Sequence, residues 1–204
     1  MAVISFDFSP QATCPRVKPF SLDEQFSWSD LPEIEEIPDS DGTAIWYHQS
    51  LRGEDRFIGY DEAHGENLRF YAQMLKDHGW MFGTHFLPHD AAHKRLGDYN
   101  RSVMEQLEEL LPGQRFVIVP RITELITGIY ATRKHLKGCY FDAEACKHGV
   151  ARIEGYKKRF NRADNRFVDE PDKSNGCSEG ADALRQWAQA KELGMVEARS
   201  EEHT

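Results

Sequence analysis

Two short runs rich in β-branched and aromatic residues follow one another at Thr43-Ala44-Ile45-Trp46-Tyr47-His48 and Arg56-Phe57-Ile58-Gly59-Tyr60, and strand-like and helix-like patterns then alternate along the chain. That alternation is the strongest constraint on the fold, because successive parallel strands need crossover connections and helices supply them. Gly53-Glu54 between the two runs marks a turn, so 43–61 is expected to be a hairpin. Glu33–Ile37 is a candidate third strand before it. Leu68, Tyr71, Ala72 and Leu75 recur at helical spacing, and Gly79 stops the run. Trp80–Leu87 is expected to be a strand ending at Pro88-His89-Asp90. Ser102 and Glu105 have capping-box spacing, with Val103, Leu107, Leu110 and Leu111 on one helical face behind them. Phe116–Val119 is a buried strand, and Ile122, Leu125, Ile126 and Ile129 open a further helix. Cys139-Tyr140-Phe141 is short and extended. Cys146, Val150, Ile153 and Phe160 predict a long amphipathic helix, followed by polar loop through Lys173. Ala181, Leu184, Trp187 and Ala188 predict the last helix.

The expected fold is therefore α/β: a mixed central sheet, with two or three antiparallel strands and then parallel ones, flanked by helices in the order of a ribonuclease H-like fold. At 204 residues one domain is expected. Residues 1–32, Pro-punctuated apart from a strand-like Val3–Phe8, read as a poorly ordered arm; 33–193 form the domain and 194–204 a flexible tail. No apolar run approaches the roughly 18 residues that span a bilayer, and Met1–Val3 has no signal-peptide pattern. None of the four cysteines forms a C-x-x-C pair, so free thiols in a reducing cytoplasm are expected. His85, His89 and His93 are evenly spaced, but Pro88 interrupts any shared helix face, which weakens a zinc reading.

A net charge of -9 argues against coating nucleic acid by bulk charge. One local patch runs the other way: Arg152, Lys157, Lys158, Arg159, Arg162 and Arg166 stand against only Glu154 and Asp164. It is either a solvated helix face or a phosphate-contacting one. In open α/β sheets sites gather beyond the carboxyl ends of strands, where Asp90 lies. Glu36 falls on the candidate first strand, and Asp182 opens the last helix among small residues. Three such carboxylates suit Mg²⁺ or Mn²⁺, and two ions roughly 3.5–4 Å apart would activate water and steady a leaving phosphodiester oxygen. Each acid also has a plain alternative. Asp90 would cap the next helix, Asp182 would meet the helix dipole, and Glu36 would be one solvated member of the acidic run 33–41.

The segments Thr43-Ala44-Ile45-Trp46, Tyr60-Asp61-Glu62, Gly83-Thr84-His85-Phe86-Leu87-Pro88-His89-Asp90-Ala91-Ala92 and Gly180-Ala181-Asp182-Ala183-Leu184-Arg185 together resemble the nuclease domain of tailed-phage terminase large subunits, over about residues 36–190. Val119-Pro120-Arg121 and Tyr140-Phe141-Asp142 fit the same pattern. The resemblance implies a ribonuclease H-like fold and a metal-dependent endonuclease that cuts double-stranded viral DNA during packaging, with two Mg²⁺ or Mn²⁺ ions. Asp90 matches the family's second acid and Asp182 the acid of the last helix. Glu36 stands where an Asp is expected as the first acid, with Asp7 a less favoured candidate. Its extra methylene displaces the carboxylate in a site that tolerates shifts of only about 0.5 Å. Glu62 matches an auxiliary acid. Lys157, Lys158, Arg159 and Arg162 would contact phosphate with little sequence readout.

Two departures stand out. Glu179 replaces the His that often precedes Gly-Ala-Asp-Ala. No Gly-x-x-x-x-Gly-Lys-Ser/Thr loop occurs, so no nucleotide-binding residues are expected and the chain would not translocate DNA by itself; a separately encoded ATPase subunit or the portal is the expected protein partner. The expectation is a prophage fragment in the host bacterial cytoplasm. The rival is a catalytically degenerate module of the same fold that only binds DNA or a packaging partner. A Cys/His enzyme is a distant third.

Overall fold

The computed structural model describes residues 2–7, 18–19, 42–51, 53–94, 101–172 and 176–196. Its nine strands are β1 (Ala2–Asp7), β2 (Lys18–Pro19), β3 (Gly42–Leu51), β4 (Glu54–His64), β5 (Phe82–Leu87), β6 (Arg115–Ile118), β7 (Cys139–Phe141), β8 (Lys158–Asn161) and β9 (Arg166–Pro171). Five α-helices accompany them among the described residues: α1 (Leu68–Asp77), α2 (Val103–Leu110), α3 (Leu125–Leu136), α4 (Lys147–Gly155) and α5 (Ser178–Glu192). The architecture is mixed α/β. Seven strands form one mixed sheet in the order β2-β7-β4-β3-β1-β5-β6, and β8 and β9 pair apart from it.

The β3–β4 hairpin forms where the β-branched and aromatic runs place it, with Gly53 at φ 79° in its turn. β5 and β6 are parallel and joined through α2, and β7 lies parallel to β4. Ser102 opens α2 with both halves of the capping box: its side chain accepts from Glu105 N at 3.1 Å, and the Glu105 carboxylate accepts from Ser102 N at 2.7 Å. Gly79, at φ 65°, follows the end of α1.

Side chains alternate across the sheet, so each face has its own core. Trp46, Phe57, Tyr60, Phe86 and Phe141 pack with Leu184, Trp187 and Ala188 of α5 on one face. Ile45, Tyr47, Leu87 and Phe116 pack with α1 and α2 on the other. One irregularity matters for function. The β3–β4 register shifts between Tyr47 and His48, leaving Ile58 as an extra residue in β4. This β-bulge restarts the alternation, so Phe57 and Tyr60 face α5 together while Ile58 packs on the opposite face.

Three expectations are corrected. The strand beside the hairpin on the β5 side is β1, and it runs parallel to β3 and antiparallel to β5, whereas the sequence suggested an antiparallel start. Residues 8–41 separate β1 from β3, long enough for a crossover, so nothing forces a hairpin-like reversal. The candidate strand Glu33–Ile37 lies outside the described residues. The long helix expected to reach Phe160 ends at Gly155, and the segment expected to be polar loop forms β8 and β9. Tyr156 there has extended backbone (φ -74°, ψ 111°), and Phe160 pairs across with Phe167.

Candidate active site

One end of the large sheet gathers the candidate residues. The pairs Gly42↔His64, Ala2↔Ala44, Ile4↔Phe86 and Leu87↔Ile118 put the start of β3 and the ends of β4, β5 and β6 at the same edge. The start of α5 lies there too. Trp46 Nε1 donates to the Gly180 carbonyl at 2.9 Å. A Cβ on Gly180 would stand 2.6 Å from the Tyr60 hydroxyl, and one on Gly42 would stand 2.6 Å from the His64 ring and 3.0 Å from Glu179 Cγ. Both glycines are required by this close approach of strand ends and helix.

Beyond β5, Leu87 is fully buried and Pro88 precedes a 3-10 turn, His89–Ala92. Ala91 is buried and anchors that turn, whereas Asp90 is exposed in its first residues. The Asp90 carbonyl accepts from His93 N at 3.0 Å. α2 is capped by Ser102, so Asp90 does not serve as its cap.

Glu62, at the end of β4, is the most enclosed acid of this edge. Its side chain is 2 % exposed. Oε2 accepts from the Tyr60 hydroxyl at 2.5 Å and from Arg152 Nε at 2.9 Å, with His148 Nε2 at 3.5 Å, and Oε1 accepts from His64 Nε2 at 2.8 Å. Burial opposes ionisation, but the hydrogen bonds from His148, Tyr60 and Arg152 outweigh it and hold the carboxyl down at about 2. Burial next to that carboxylate drives the Tyr60 hydroxyl far above its ordinary range. Glu62 is thus a carboxylate held ionised well below neutral pH, hydrogen-bonded to Arg152 and two histidines at the site's border. Next along the strand, Asp61 points to the opposite face, where its Oδ2 accepts from Tyr47 and His78 at 2.7 Å each.

Asp182 lies in the first turns of α5, about a third exposed, and its Oδ1 accepts from Arg185 Nη2 at 2.7 Å. The Arg185 stem passes over Gly128 of α3, which has room for it only because it lacks a Cβ. Asp90 and Glu62 therefore lie at one end of the sheet with the first turns of α5, while Glu62 is bound to Arg152 and Asp182 to Arg185. Among the described residues no group of three or more His, Cys, Asp or Glu side chains is arranged to hold a metal ion. Glu36 lies outside the described residues, as does the side chain of Asp7.

Lys157, Lys158, Arg159 and Arg162 are exposed, but on and beside β8 and its turn rather than on a helix. Arg159 pairs with Glu170 across that hairpin. Arg152, counted with them in the sequence, is almost wholly buried against Glu62. The residues that sequence reasoning missed are Arg152 and His148 as partners of Glu62. Their spacing of four on α4 was the available signal, since it puts both on one helix face. Cys139, Cys146 and Cys177 are free thiols, all buried. No helix of the described residues is long and apolar enough to cross a membrane.

Comparison with family models, with curated proteins and with solved structures finds no match for this chain.

Proposed function

We propose that the chain is a terminase-type nuclease domain, ribonuclease H-like in fold, that hydrolyses phosphodiesters of double-stranded DNA with two Mg²⁺ or Mn²⁺ ions. What supports this most is the convergence of an exposed Asp90 beyond a parallel strand with the first turns of the last helix at the same sheet edge. Carboxylate oxygens are hard donors that suit these cations by chemistry. Asp90, Asp182 and Glu36 would hold the ions, which when bound would lower the pKa of a water and neutralise the leaving oxygen. Arg185 would release Asp182 to an ion, and the buried Glu62–Arg152 pair would keep the edge in shape. The proposed partners are duplex DNA and a separately encoded packaging ATPase or portal.

Plasmid nicking in Mn²⁺ tests this. Wild type is expected to cut, with Asp90→Ala and Asp182→Ala each losing on the order of 100-fold or more, the scale of losing one charge-stabilising group at a reacting centre. Glu36→Asp is expected to cut faster than wild type. Equal residual cutting by wild type and Asp90→Ala rejects catalysis here.

A second function is favoured by one observation, the Arg185 guanidinium bound to Asp182. An arginine standing on Asp182 where a metal ion would sit suits a degenerate module that binds DNA without cutting it. In that case wild type shifts a labelled duplex in EDTA, and Arg185→Ala does not create cleavage.

A further inference from the structure

The β8–β9 hairpin carries a feature that neither a metal site nor phosphate contact uses. Phe160 and Phe167 are cross-strand partners whose ring centroids lie 5.1 Å apart at 68°, and they are 43 % and 65 % exposed. The hairpin is its own two-stranded sheet, outside the seven-stranded one. An isolated two-stranded hairpin is marginal in water, and two rings facing solvent at its centre lose the burial that aromatic side chains ordinarily gain.

The turn is built firmly all the same. Asn161 Oδ1 accepts from Ala163 N at 3.0 Å and Asp164 N at 3.4 Å, and Asn161 Nδ2 donates to Asp164 Oδ2 at 2.8 Å. Asn165 takes the left-handed conformation at φ 48° that closes the loop. The rings are thus held in place on a defined turn.

The surroundings identify the chemistry of what would cover them. Over 157–166 the cations Lys157, Lys158, Arg159, Arg162 and Arg166 stand against a single acid, Asp164, in a chain of net charge -9. The returning strand brings Asp169, Glu170 and Asp172 back alongside β8, where Glu170 pairs with Arg159, so the hairpin over 157–172 keeps five cations against four acids and remains net positive in an acidic chain. Flat apolar faces beside fixed cations match a ligand that alternates flat rings with phosphates. In a duplex the base faces are covered by their neighbours, so only unpaired bases can offer a face to Phe167.

We propose that the β8–β9 hairpin binds single-stranded DNA, stacking an unpaired base on the Phe160–Phe167 pair while Lys157, Lys158 and Arg162 contact the flanking phosphates. This rests on the proposal that the chain handles DNA, but not on its cutting DNA. The hairpin would hold a frayed or nicked strand near the start of α5, which Gly155, just before β8, approaches at Cys177.

Fluorescence anisotropy of the full chain in EDTA tests it, using a labelled single-stranded 20-mer and the duplex of the same sequence. Phe167→Ala and Phe167→Leu are expected to weaken single-strand binding by about tenfold or more and to change duplex binding by less than about twofold. Leucine keeps apolar bulk but has no ring, so wild-type affinity in Phe167→Leu overturns the proposal. So does an equal loss on both DNAs. A second arm leaves the protein untouched. Wild type is titrated with a strand of the same length carrying abasic sugars, which keeps every phosphate. At least a tenfold loss is expected. Equal affinity for the abasic and normal strands means charge alone binds, and no single-strand binding at all points to a protein partner; either result overturns the proposal. Because metal is absent, inactivity in the nicking assay together with retained single-strand binding would sink the nuclease and leave this inference standing.

Discussion

The two ends of the β3–β4 hairpin carry the same kinds of group, and they have opposite surroundings. At one end Asp55 of β4 is bonded to His48 Nε2 at 2.9 Å and to Lys191 from the last turn of α5. His48 is completely buried, between the rings of Phe57 and Trp187. At the other end Glu62 of β4 is bonded to Arg152 and His64, near the first turn of α5. There His148 is 55 % exposed, and Asp90 and Asp182 reach solvent alongside. A carboxylate, a histidine and a cation are therefore not by themselves a site. The first cluster joins helix to sheet inside the core. The second also borders an open edge, where a ligand can arrive.

The largest expected effect falls on the second cluster. Arg152→Ala leaves a buried carboxylate without its cation, a change of about 3–5 kcal/mol, and urea denaturation should show it as a lower midpoint with an unchanged slope. Lys191→Ala should cost clearly less, because Lys191 is partly exposed and His48 stays on Asp55. If the two variants lose equal stability, the contrast between the ends fails.

Next comes Gly149→Ala. A Cβ there would stand 2.4 Å from Trp46 and 2.6 Å from Tyr60, both rings in the core beside Glu62. Overpacking of that kind costs about 1–3 kcal/mol. A thermal midpoint equal to wild type would mean that α4 is free to shift on the sheet.

The pH dependence should separate the ends. His48 has its pKa lowered from 6.5, chiefly by burial, and burial likewise brings His85 down to about 4. Both are neutral when folded, whereas the unfolded chain takes up protons below 6.5, so stability is full above that pH and declines as pH falls through it. Glu62 is depressed from 4.5 to about 2, so its contribution is full above 4.5 and is lost between those values. Chemical denaturation from pH 8 to pH 3 should therefore show an upper limb that shrinks in His48→Gln and a lower limb that shrinks in Glu62→Gln. The reverse assignment would break the comparison.

The smallest effect is expected at Arg185. Its bond to Asp182 is a part-exposed pair within one helix, worth about 0.5 kcal/mol at most. Arg185→Ala should leave the thermal midpoint nearly unchanged. In a working nuclease it should lower the Mn²⁺ concentration needed for half-maximal nicking, and an unchanged metal requirement would separate Asp182 from the ions.

Local chemistry was legible in the sequence wherever it acts over a few residues. The hairpin turn at Gly53, the Ser102–Glu105 box and the short strand at Cys139–Phe141 all form where their residues predict. Asp90 was legible as an acid beyond a strand because Pro88 ends the apolar run. What stayed hidden depends on distant partners. Arg152 reads as one more surface cation until Glu62, ninety residues earlier in the chain, is seen beneath it. β1 runs parallel to β3, a direction no local pattern encodes. Phe160 fits a helical period as well as a strand, and only its pairing with Phe167 decides between them.

The single unmatched residue at Ile58 is a spacer. Ile58 and Gly59 stand side by side on the α1 face against Tyr47 alone, and that is what lets Phe57 and Tyr60 both face α5. Deleting Ile58 would restore regular pairing and leave Glu62 under Arg152 and Asp61 beside Tyr47 and His78. Loss of one codon is therefore expected to be harmless to both clusters at this point of β4, because the ladder already carries one residue more than its partner strand can match.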